Sequence, residues 1–381
     1  MKPVYLDHAA TTAVSEAALA EMLPCFREVY GNPSAVHDAG QAAKNAVERS
    51  RDRVARAIGA LRTEIAFTSG GTESDNWVIR GVCRQRGSRG RHIIASAIEH
   101  NAVRRTLEDM QEQGFSVTFL EPNSMGRIAP EQLEAAIRSD TILVSVMLAN
   151  NVVGTILDIP ALAAVARKRR VLFHTDAVQA VGHIPINVRA LGVDFLSLSA
   201  HKFSGPKGVG ALYSRLPNRL PPLLTGGGQE KEMRSGTENV PGIVGMAAAL
   251  EESVRNLPET QPRLNALRDH LIRAALAIPG VRLTGDPVNR LPGFASFVVE
   301  GISHSVLLVD ELNLMGYAVS SGSACSAASR EASHVLTALG FDKALASAAL
   351  RVTMGPENTR EEIDGFIASL QTAIARLRKG R

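Results

Sequence analysis

Aromatic residues, cysteines and long apolar runs are all scarce in this chain of 381 residues. Phe, Trp and Tyr make up 4% of it, too few for a surface that stacks nucleic-acid bases. The three cysteines, Cys25, Cys83 and Cys325, form no metal-spaced pair, and such a low, odd number is typical of a reducing compartment. The uncharged stretch 141–157 is shorter than the roughly 20 apolar residues of a membrane span. We therefore expect a cytoplasmic protein that binds neither nucleic acid nor a membrane.

Charge and apolar content are those of an ordinary folded protein. Lys and Arg number 42 and Asp and Glu 38, so the formal net charge of +4 gives no reason to expect a polyanionic partner. Apolar residues make up 45% of the chain, which excludes intrinsic disorder. At roughly 150 residues per domain, the length predicts two or three domains, or one large domain with an appendage.

Short apolar runs alternate with helix-like stretches over the first two thirds of the chain. The runs are nearly continuous in apolar content, as in strands covered on both faces. They lie at residues 64–68, 92–96, 142–147, 170–174, 194–199 and 210–213. Helix-like stretches include residues 101–113, 130–139 and 159–168. This alternation predicts an α/β domain with a mainly parallel sheet and right-handed crossovers.

The rhythm changes in the last third of the chain. Helical patterning covers residues 241–255, and the Asn-Leu-Pro stretch at 256–258 is typical of a boundary. Two more helix-like stretches, 261–278 and 359–377, flank short strand-like runs. We expect a large α/β domain at residues 15–256, and a smaller α+β domain at residues 257–381 together with residues 1–14.

Several predicted strands are followed by polar residues that suit catalysis. Ser199, His201 and Lys202 follow one strand, at the sheet edge where α/β folds bind ligands. A lysine there can form a Schiff base, although a surface lysine fits the pattern as well. Ser-x-x-Lys also occurs in penicillin-binding hydrolases, and Ser-Asp-Asn stands at 74–76. The order of these motifs is reversed here and Lys-Thr-Gly is missing, which disfavours that alternative.

Other predicted strand ends carry candidates for a charged, aromatic ligand. Asp176 suits a pyridinium nitrogen, or simply caps a helix. The glycines in residues 69–74 suit a phosphate at a helix start, or a plain turn. His100 suits ring stacking and proton transfer, or is simply a polar histidine in a loop. Cys325 lies among small residues, in a loop where a thiol would be available for nucleophilic chemistry, whereas Cys25 and Cys83 lie in apolar stretches.

Together these segments resemble the cysteine desulfurases, pyridoxal-phosphate enzymes of the class V aminotransferase group. The resemblance runs in family order over nearly the whole chain. The matching motifs are YLDHAATT at 5–12, GNPS at 31–34, TSGGTE at 68–73, DAVQ at 176–179, SAHK at 199–202, RSGTEN at 234–239, SSGSAC at 320–325 and LRV at 350–352. It implies fold type I, pyridoxal 5′-phosphate as the cofactor and a homodimer.

The resemblance also implies a role for each matching residue. Lys202 would hold the cofactor covalently, Asp176 would pair with its ring nitrogen, and His100 would stack on the ring and move protons. Arg351 would bind the substrate carboxylate with its planar fork, and Asn151 would also contact the substrate. The other implied contacts are with the cofactor: Gln179 and Asn151 at the phenolic oxygen, Gly71, Thr72, Ser199 and His201 at the phosphate, and Thr237 at the phosphate of the neighbouring subunit.

The implied reaction takes sulfur from L-cysteine. Lys202 would remove the α-proton, and the Cys325 thiolate would then attack the substrate sulfur, leaving a persulfide on Cys325 and releasing alanine. The sulfur would pass to an acceptor or cluster scaffold protein for iron–sulfur assembly. Cys325 would contact an iron–sulfur cluster only transiently, and the protein would hold no metal of its own. The alternative function is that of a selenocysteine lyase or another class V aminotransferase. A third hypothesis is a scaffold protein that has no catalytic activity.

Two segments depart from the family pattern. The family has Asn-Asn-Glu where this chain has Val152 after two asparagines, so a carboxylate beside the site is lost. We expect altered substrate preference or loop packing there. The family also has Gly-Gln-Glu-Arg-Gly, whereas this chain has Lys231 and Glu232 at the last two positions. Lysine lacks the bidentate geometry of arginine, so no phosphate or partner contact is assigned to position 231.

Overall fold

A computed structural model describes residues 3–215, 220–322 and 332–379. The strands are β1 (Val4–Tyr5), β2 (Ile65–Thr68), β3 (His92–Ser96), β4 (Ser116–Leu120), β5 (Thr141–Ser145), β6 (Leu172–Asp176), β7 (Phe195–Ser199), β8 (Gly210–Ser214), β9 (Val281–Leu283), β10 (Phe294–Val299), β11 (Tyr317–Ala318) and β12 (Ala349–Thr353). The helices are α1 (Glu16–Met22), α2 (Asp38–Ala57), α3 (Gly71–Arg86), α4 (Asn101–Glu112), α5 (Pro130–Ala136), α6 (Ile159–Lys168), α7 (Val188–Leu191), α8 (Val240–Leu276), α9 (Ser305–Leu314), α10 (His334–Ala338), α11 (Lys343–Ala346) and α12 (Arg360–Lys379). Single 3₁₀ turns cover Leu23–Phe26, Arg62–Glu64, Ala200–Lys202 and Glu230–Glu232.

A seven-stranded sheet forms the centre of the fold, in the order β2-β8-β7-β6-β5-β3-β4. Only β8 is antiparallel to its neighbours within this sheet, so the prediction of a mainly parallel α/β sheet is confirmed. Most of its strands are buried along their whole length, which is why the sequence shows continuous apolar runs. Strand β4 escaped sequence analysis because it is a half-exposed edge strand with the mixed sequence SVTFL.

A second, smaller layer consists of the antiparallel sheet β12-β10-β9 and the parallel pair β1-β11. It has its own apolar core, to which helices α8, α9 and α12 contribute. The N-terminal residues lie here: Leu6 is fully buried in this core, and Asp7 bridges to Thr353 of β12. Within the described residues, no helix is long and apolar enough to cross a membrane.

Helix α8 contradicts the expected break at residues 256–258, since it runs without interruption from Val240 to Leu276 with Pro258 and Pro262 inside it. Proline removes a hydrogen-bond donor and normally interrupts a helix. Pro258 and Pro262 are both exposed, so neither occupies a core position. The buried leucines of α8 recur every seven residues on both sides of the prolines, at Leu250, Leu257, Leu264 and Leu271. Packing of this stripe therefore outweighs the prolines, and the domain division at residue 256 stays a prediction.

The segment before α8, residues 224–239, is called the strap below. A buried ion pair anchors it, because both guanidinium NH2 groups of Arg51 in α2 donate to the Glu230 carboxylate, at 2.6 and 2.7 Å. The Phe67 N–H in β2 donates to the same carboxylate at 2.9 Å. Glu230, Lys231 and Glu232 all have positive φ, between 50° and 65°. Glu232 occupies the position where the family has glycine, so this chain tolerates local backbone strain to hold the strap.

We expect Glu230→Gln to lower the free energy of unfolding by about 3–5 kcal/mol, the usual effect of breaking a buried ion pair. The variant removes the buried counter-charge of Arg51 and leaves its guanidinium only Glu48, a half-buried carboxylate that lies 3.1 Å from Nε. Urea unfolding monitored by circular dichroism measures the change. Asp140→Asn is the matched control, because Asp140 pairs with Arg138 at 2.9 Å on the surface. Equal losses in the two variants would contradict the anchoring role.

Candidate active site

A cavity of about 440 Å³ lies at the carboxyl edge of the central sheet. It brings together most of the residues that the sequence predicts, namely Gly71, Thr72, His100, Asn151, Asp176, Gln179, Ser199, His201, Lys202 and Arg351. Thr237 does not line it and lies exposed on the strap. Cys325 lies outside the residues that the structure describes. Parallel strands deliver these side chains, because their carboxyl ends share one edge of the sheet.

Lys202 projects from the 3₁₀ turn that follows β7. Its Nζ donates to the carbonyl oxygens of Ala9 at 2.6 Å and Ala10 at 2.8 Å. The ring of His183 hydrogen-bonds the carbonyl oxygen of Lys202 at 2.8 Å, which fixes the turn itself. The amine is therefore held in place inside the cavity before any ligand arrives.

The N-terminal segment forms one wall of the cavity, a role that sequence analysis did not assign to it. Besides Lys202, Gln179 donates through Nε2 to the Ala9 carbonyl at 2.9 Å. The ring of His201 lies 3.1 Å from the hydroxyl of Thr11. Backbone carbonyls have no signature in a sequence, so only the family motif at residues 5–12 pointed to this segment.

Asp176 ends β6 with its carboxylate buried in the cavity. One oxygen accepts from the Val178 N–H at 2.9 Å. Burial raises the pKa of Asp176, and the Lys202 ammonium, or His100 when it is protonated, acts in the opposite direction. A protonated pyridine nitrogen at this position would supply the positive charge that a buried carboxylate needs.

The turn between β2 and α3 has the form of a phosphate cradle. No side chain caps the 16-residue helix at Gly70, whose φ is 152°. The first N–H groups of the helix therefore point into the cavity without an intrahelical partner. A Cβ on Gly71 would lie 2.5 Å from Cγ2 of Val178, so only glycine fits there. The uncapped helix start, with its positive dipole end, fits a phosphate group.

His100 serves as the N-cap of α4, which fixes its tautomer. Its Nδ1 accepts from the Ala102 N–H at 3.1 Å, so Nδ1 carries no proton in this arrangement. The proton of the neutral ring is then on Nε2. This leaves a single N–H group of His100 available to the cavity that the residue lines.

Arg351 on β12 reaches the cavity from the smaller layer. Its guanidinium donates to the Asn151 carbonyl at 2.7 Å and to the Asp7 carboxylate at 2.8 Å. The residue is only 2% exposed, and its Nε has no partner among the described residues. A guanidinium that is oriented from two sides and still has an unused donor is suited to bind a carboxylate.

A row of fully buried polar side chains lies beneath the cavity and was missed by sequence analysis. The His174 ring bridges the hydroxyls of Ser145 at 2.8 Å and Ser197 at 3.0 Å, on the two neighbouring strands. Burial lowers the pKa of His174 to about 3. Burial likewise raises the pKa of Asp75, which lies 3.5 Å from this ring. Neither His174 nor Asp75 therefore carries a permanent positive charge that would add to the charge of Lys202.

The valines that replace the family's carboxylate are packed rather than exposed to the cavity. Val152 and Val153 belong to an apolar cluster with Ile98, Val335 and Leu336. The Asn150 side-chain oxygen accepts from both valine N–H groups at 2.9 Å, which shapes the turn. A carboxylate in this cluster would be buried among apolar side chains, so the replacement bears on loop packing, and an effect on substrate preference stays a prediction.

Glu99 makes the stability of the protein depend on pH. Burial raises the pKa of Glu99 to about 8, against an ordinary value of 4.5. Between pH 4.5 and about 8, Glu99 keeps its proton in the folded protein, whereas it releases that proton in the unfolded chain. The free energy of unfolding should therefore fall as pH rises through this window, by up to about 1.4 kcal/mol per pH unit. We expect Glu99→Gln to remove this slope, measured by urea unfolding at pH 5.5 and 7.5; an unchanged slope would contradict it.

Comparison with known proteins agrees with this geometry. The model of the family described as aminotransferase class-V matches residues 4–366. The chain belongs to this family. A protein from Methanosarcina thermophila named cysteine desulfurase IscS is 45% identical over 377 residues, which cover 99% of this chain and 93% of that protein.

Two solved structures extend the comparison to the fold. A NifS-like protein superimposes with a TM-score of 0.92 at 38% identity, covering 98% of this chain and 100% of that one. A structure titled "SspA in complex with cysteine" has a TM-score of 0.82 at 34% identity, covering 93% and 100%. The fold is therefore fold type I, and pyridoxal 5′-phosphate is the cofactor of this class V enzyme. The uncapped helix start, the Asp176 carboxylate and the Lys202 amine fit its phosphate, ring nitrogen and aldehyde.

Proposed function

We propose that this protein is a cysteine desulfurase that takes sulfur from L-cysteine and releases L-alanine. The observation that carries the proposal is the single cavity in which Lys202, Asp176 and Arg351 converge at the phosphate cradle. The relative from M. thermophila bears the name of this activity, and the SspA structure contains cysteine. These names support cysteine as the substrate in place of another amino acid.

Three residues of the chain act on different groups of the substrate. Arg351 binds the substrate carboxylate, since its guanidinium is already oriented by Asp7 and Asn151. Pyridoxal phosphate, when bound, withdraws electrons from the α-carbon and so makes its proton acidic. The Lys202 amine takes this proton, and the Nε2–H of His100 is placed to exchange protons with the reacting groups.

Sulfur transfer requires a nucleophile, and Cys325 is the candidate. Its thiolate attacks the substrate sulfur, the bond between that sulfur and the β-carbon breaks, and the carbon receives a proton. One cysteine and one enzyme thiol thus become one alanine and one enzyme persulfide, with no external oxidant or reductant. Of the other two cysteines, both are buried as free thiols and neither lines the cavity.

Assembly and cellular context belong to the same proposal. The protein is a homodimer, in which the exposed Thr237 of the strap contacts the phosphate of the neighbouring subunit. It acts in the cytoplasm, where the free thiols of Cys25 and Cys83 stay reduced. The persulfide sulfur goes to a scaffold protein for iron–sulfur clusters. The IscS name of the relative supports this destination.

An amino-acid screen of the purified holoprotein tests the proposal. We expect L-cysteine to yield alanine with one persulfide per chain in the first turnover, followed by sulfide when a thiol reductant is added. Parallel reactions with L-selenocysteine and with an amino acid plus a keto acid probe the two alternative activities. A strong preference for selenocysteine, or amino transfer without sulfur release, would overturn the proposal.

A further inference from the structure

Glu73 is an unexpected neighbour for a phosphate. It lies in the first turn of α3 and lines the cavity together with Gly70 and Gly71. Its side chain is only 10% exposed, so water screens its charge weakly. An uncompensated carboxylate here would repel the dianionic phosphate that the helix start is shaped to bind.

Arg234 of the strap compensates this charge. Its Nε lies 2.8 Å from one Glu73 oxygen and its second terminal nitrogen 3.1 Å from the other, which is a bidentate ion pair. The Ser69 N–H, in the turn before α3, also donates to Glu73, at 2.9 Å. Although burial opposes ionisation, these hydrogen bonds from Arg234 and Ser69 keep the pKa of Glu73 below its ordinary value. Glu73 is therefore ionised, and the positive charge of Arg234 compensates its negative charge.

The strap holds Arg234 in place for this contact. Next to it, the Ser235 N–H donates to the Leu224 carbonyl at 3.2 Å, and the Ser235 hydroxyl accepts from the Gly228 N–H at 3.3 Å. Four residues earlier, Glu230 is anchored by Arg51 as described above. The ion pair thus links the anchored strap to the turn that begins α3.

We propose that Glu73 and Arg234 form a positioning pair for the phosphate of the cofactor. Arg234 neutralises Glu73, which leaves the helix start attractive to an anion, and Glu73 fixes the turn through Ser69. The inference rests on the proposed function, because it assumes that pyridoxal phosphate is bound with its phosphate at Gly70–Gly71. It assigns a cofactor-binding task to two residues that do not touch the reacting atoms.

A double-mutant cycle tests the pair, with the dissociation constant of pyridoxal phosphate as the readout. The four proteins are wild type, Arg234→Met, Glu73→Gln and the double variant, each stripped of cofactor and titrated by absorbance. We expect Arg234→Met to weaken binding at least about tenfold, because it leaves a bare carboxylate beside the phosphate. Glu73→Gln should stay within about threefold of wild type, since the amide oxygen can still accept from Ser69. The double variant should recover to the level of Glu73→Gln.

Two further binding measurements distinguish loss of the charge compensation from a general loss of cofactor binding. Pyridoxal without its phosphate should bind Arg234→Met as well as wild type, because the repulsion needs the phosphate. Arg234→Lys, which keeps the charge and is less disruptive to folding, should bind more tightly than Arg234→Met. A double variant as weak as Arg234→Met, or equal losses for pyridoxal and its phosphate, would overturn the inference. Wild type that fails to bind the cofactor would instead overturn the proposed function.

Discussion

Lys202→Ala should lose essentially all turnover, with kcat for alanine formation lower by about 10⁴-fold or more. The amine is both the covalent anchor for the cofactor aldehyde and the base for the α-proton, and a positioned base alone contributes about 10²–10⁴-fold. The Ala9 and Ala10 carbonyls hold this amine at a fixed position, so the variant removes a positioned base together with the anchor. Alanine release measured by chromatography follows the change.

Lys207→Ala is the matched control for Lys202→Ala. Lys207 lines the same cavity and carries the same charge, but it lies on the exposed loop beyond the 3₁₀ turn. We expect this variant to keep the yellow colour of the bound cofactor and to retain turnover within about tenfold. Normal turnover by Lys202→Ala, or equal losses in the two variants, would contradict the assigned role.

Cys325→Ser should abolish persulfide formation and multiple-turnover alanine release while leaving the cofactor in place. A serine hydroxyl is almost fully protonated at neutral pH and is a poor acceptor of sulfur, whereas the thiolate is the nucleophile. The visible absorbance of the cofactor should therefore respond to added L-cysteine as in wild type. Intact-mass analysis after one turnover measures the persulfide directly.

The other two cysteines provide internal controls for Cys325→Ser. Cys25 and Cys83 are buried, and burial raises the pKa of Cys83 to about 12, so that it forms almost no thiolate at neutral pH. Cys25→Ala and Cys83→Ala should both keep the persulfide signal. A persulfide that persists in Cys325→Ser and disappears in one of these controls would move the sulfur site to that cysteine.

The structure brings together one class of residue that the sequence singles out, the side chains at strand ends. Asp176 ends one short apolar run and Lys202 follows another, and the carboxyl ends of parallel strands lie at a common edge, so no knowledge of tertiary contacts is needed. Conversely, the contact between Asp7 and Arg351 joins residues 344 positions apart in the chain, and no periodicity encodes it. The Glu73–Arg234 pair joins the strap to α3 in the same unpredictable way.

Helix α8 shows where local sequence rules fail. Pro258 and Pro262 predict a break, and a single-sequence interpretation gives them more weight than the recurrence of buried leucines on both sides. The energy that decides between the two comes from packing against helices and strands that are distant in sequence. The Ala9 and Ala10 carbonyls are a similar case, because backbone groups gain a function only when the N-terminal segment folds across the site.

Reductive trapping tests the central claim most directly. Purified holoprotein is treated with borohydride, digested and analysed by mass spectrometry for a pyridoxyl group on lysine. We predict a single modified peptide with the group on Lys202, and no modification of Lys207. A pyridoxyl group on a different lysine, or none at all in protein that retains the cofactor, would contradict the assignment of this cavity as the active site.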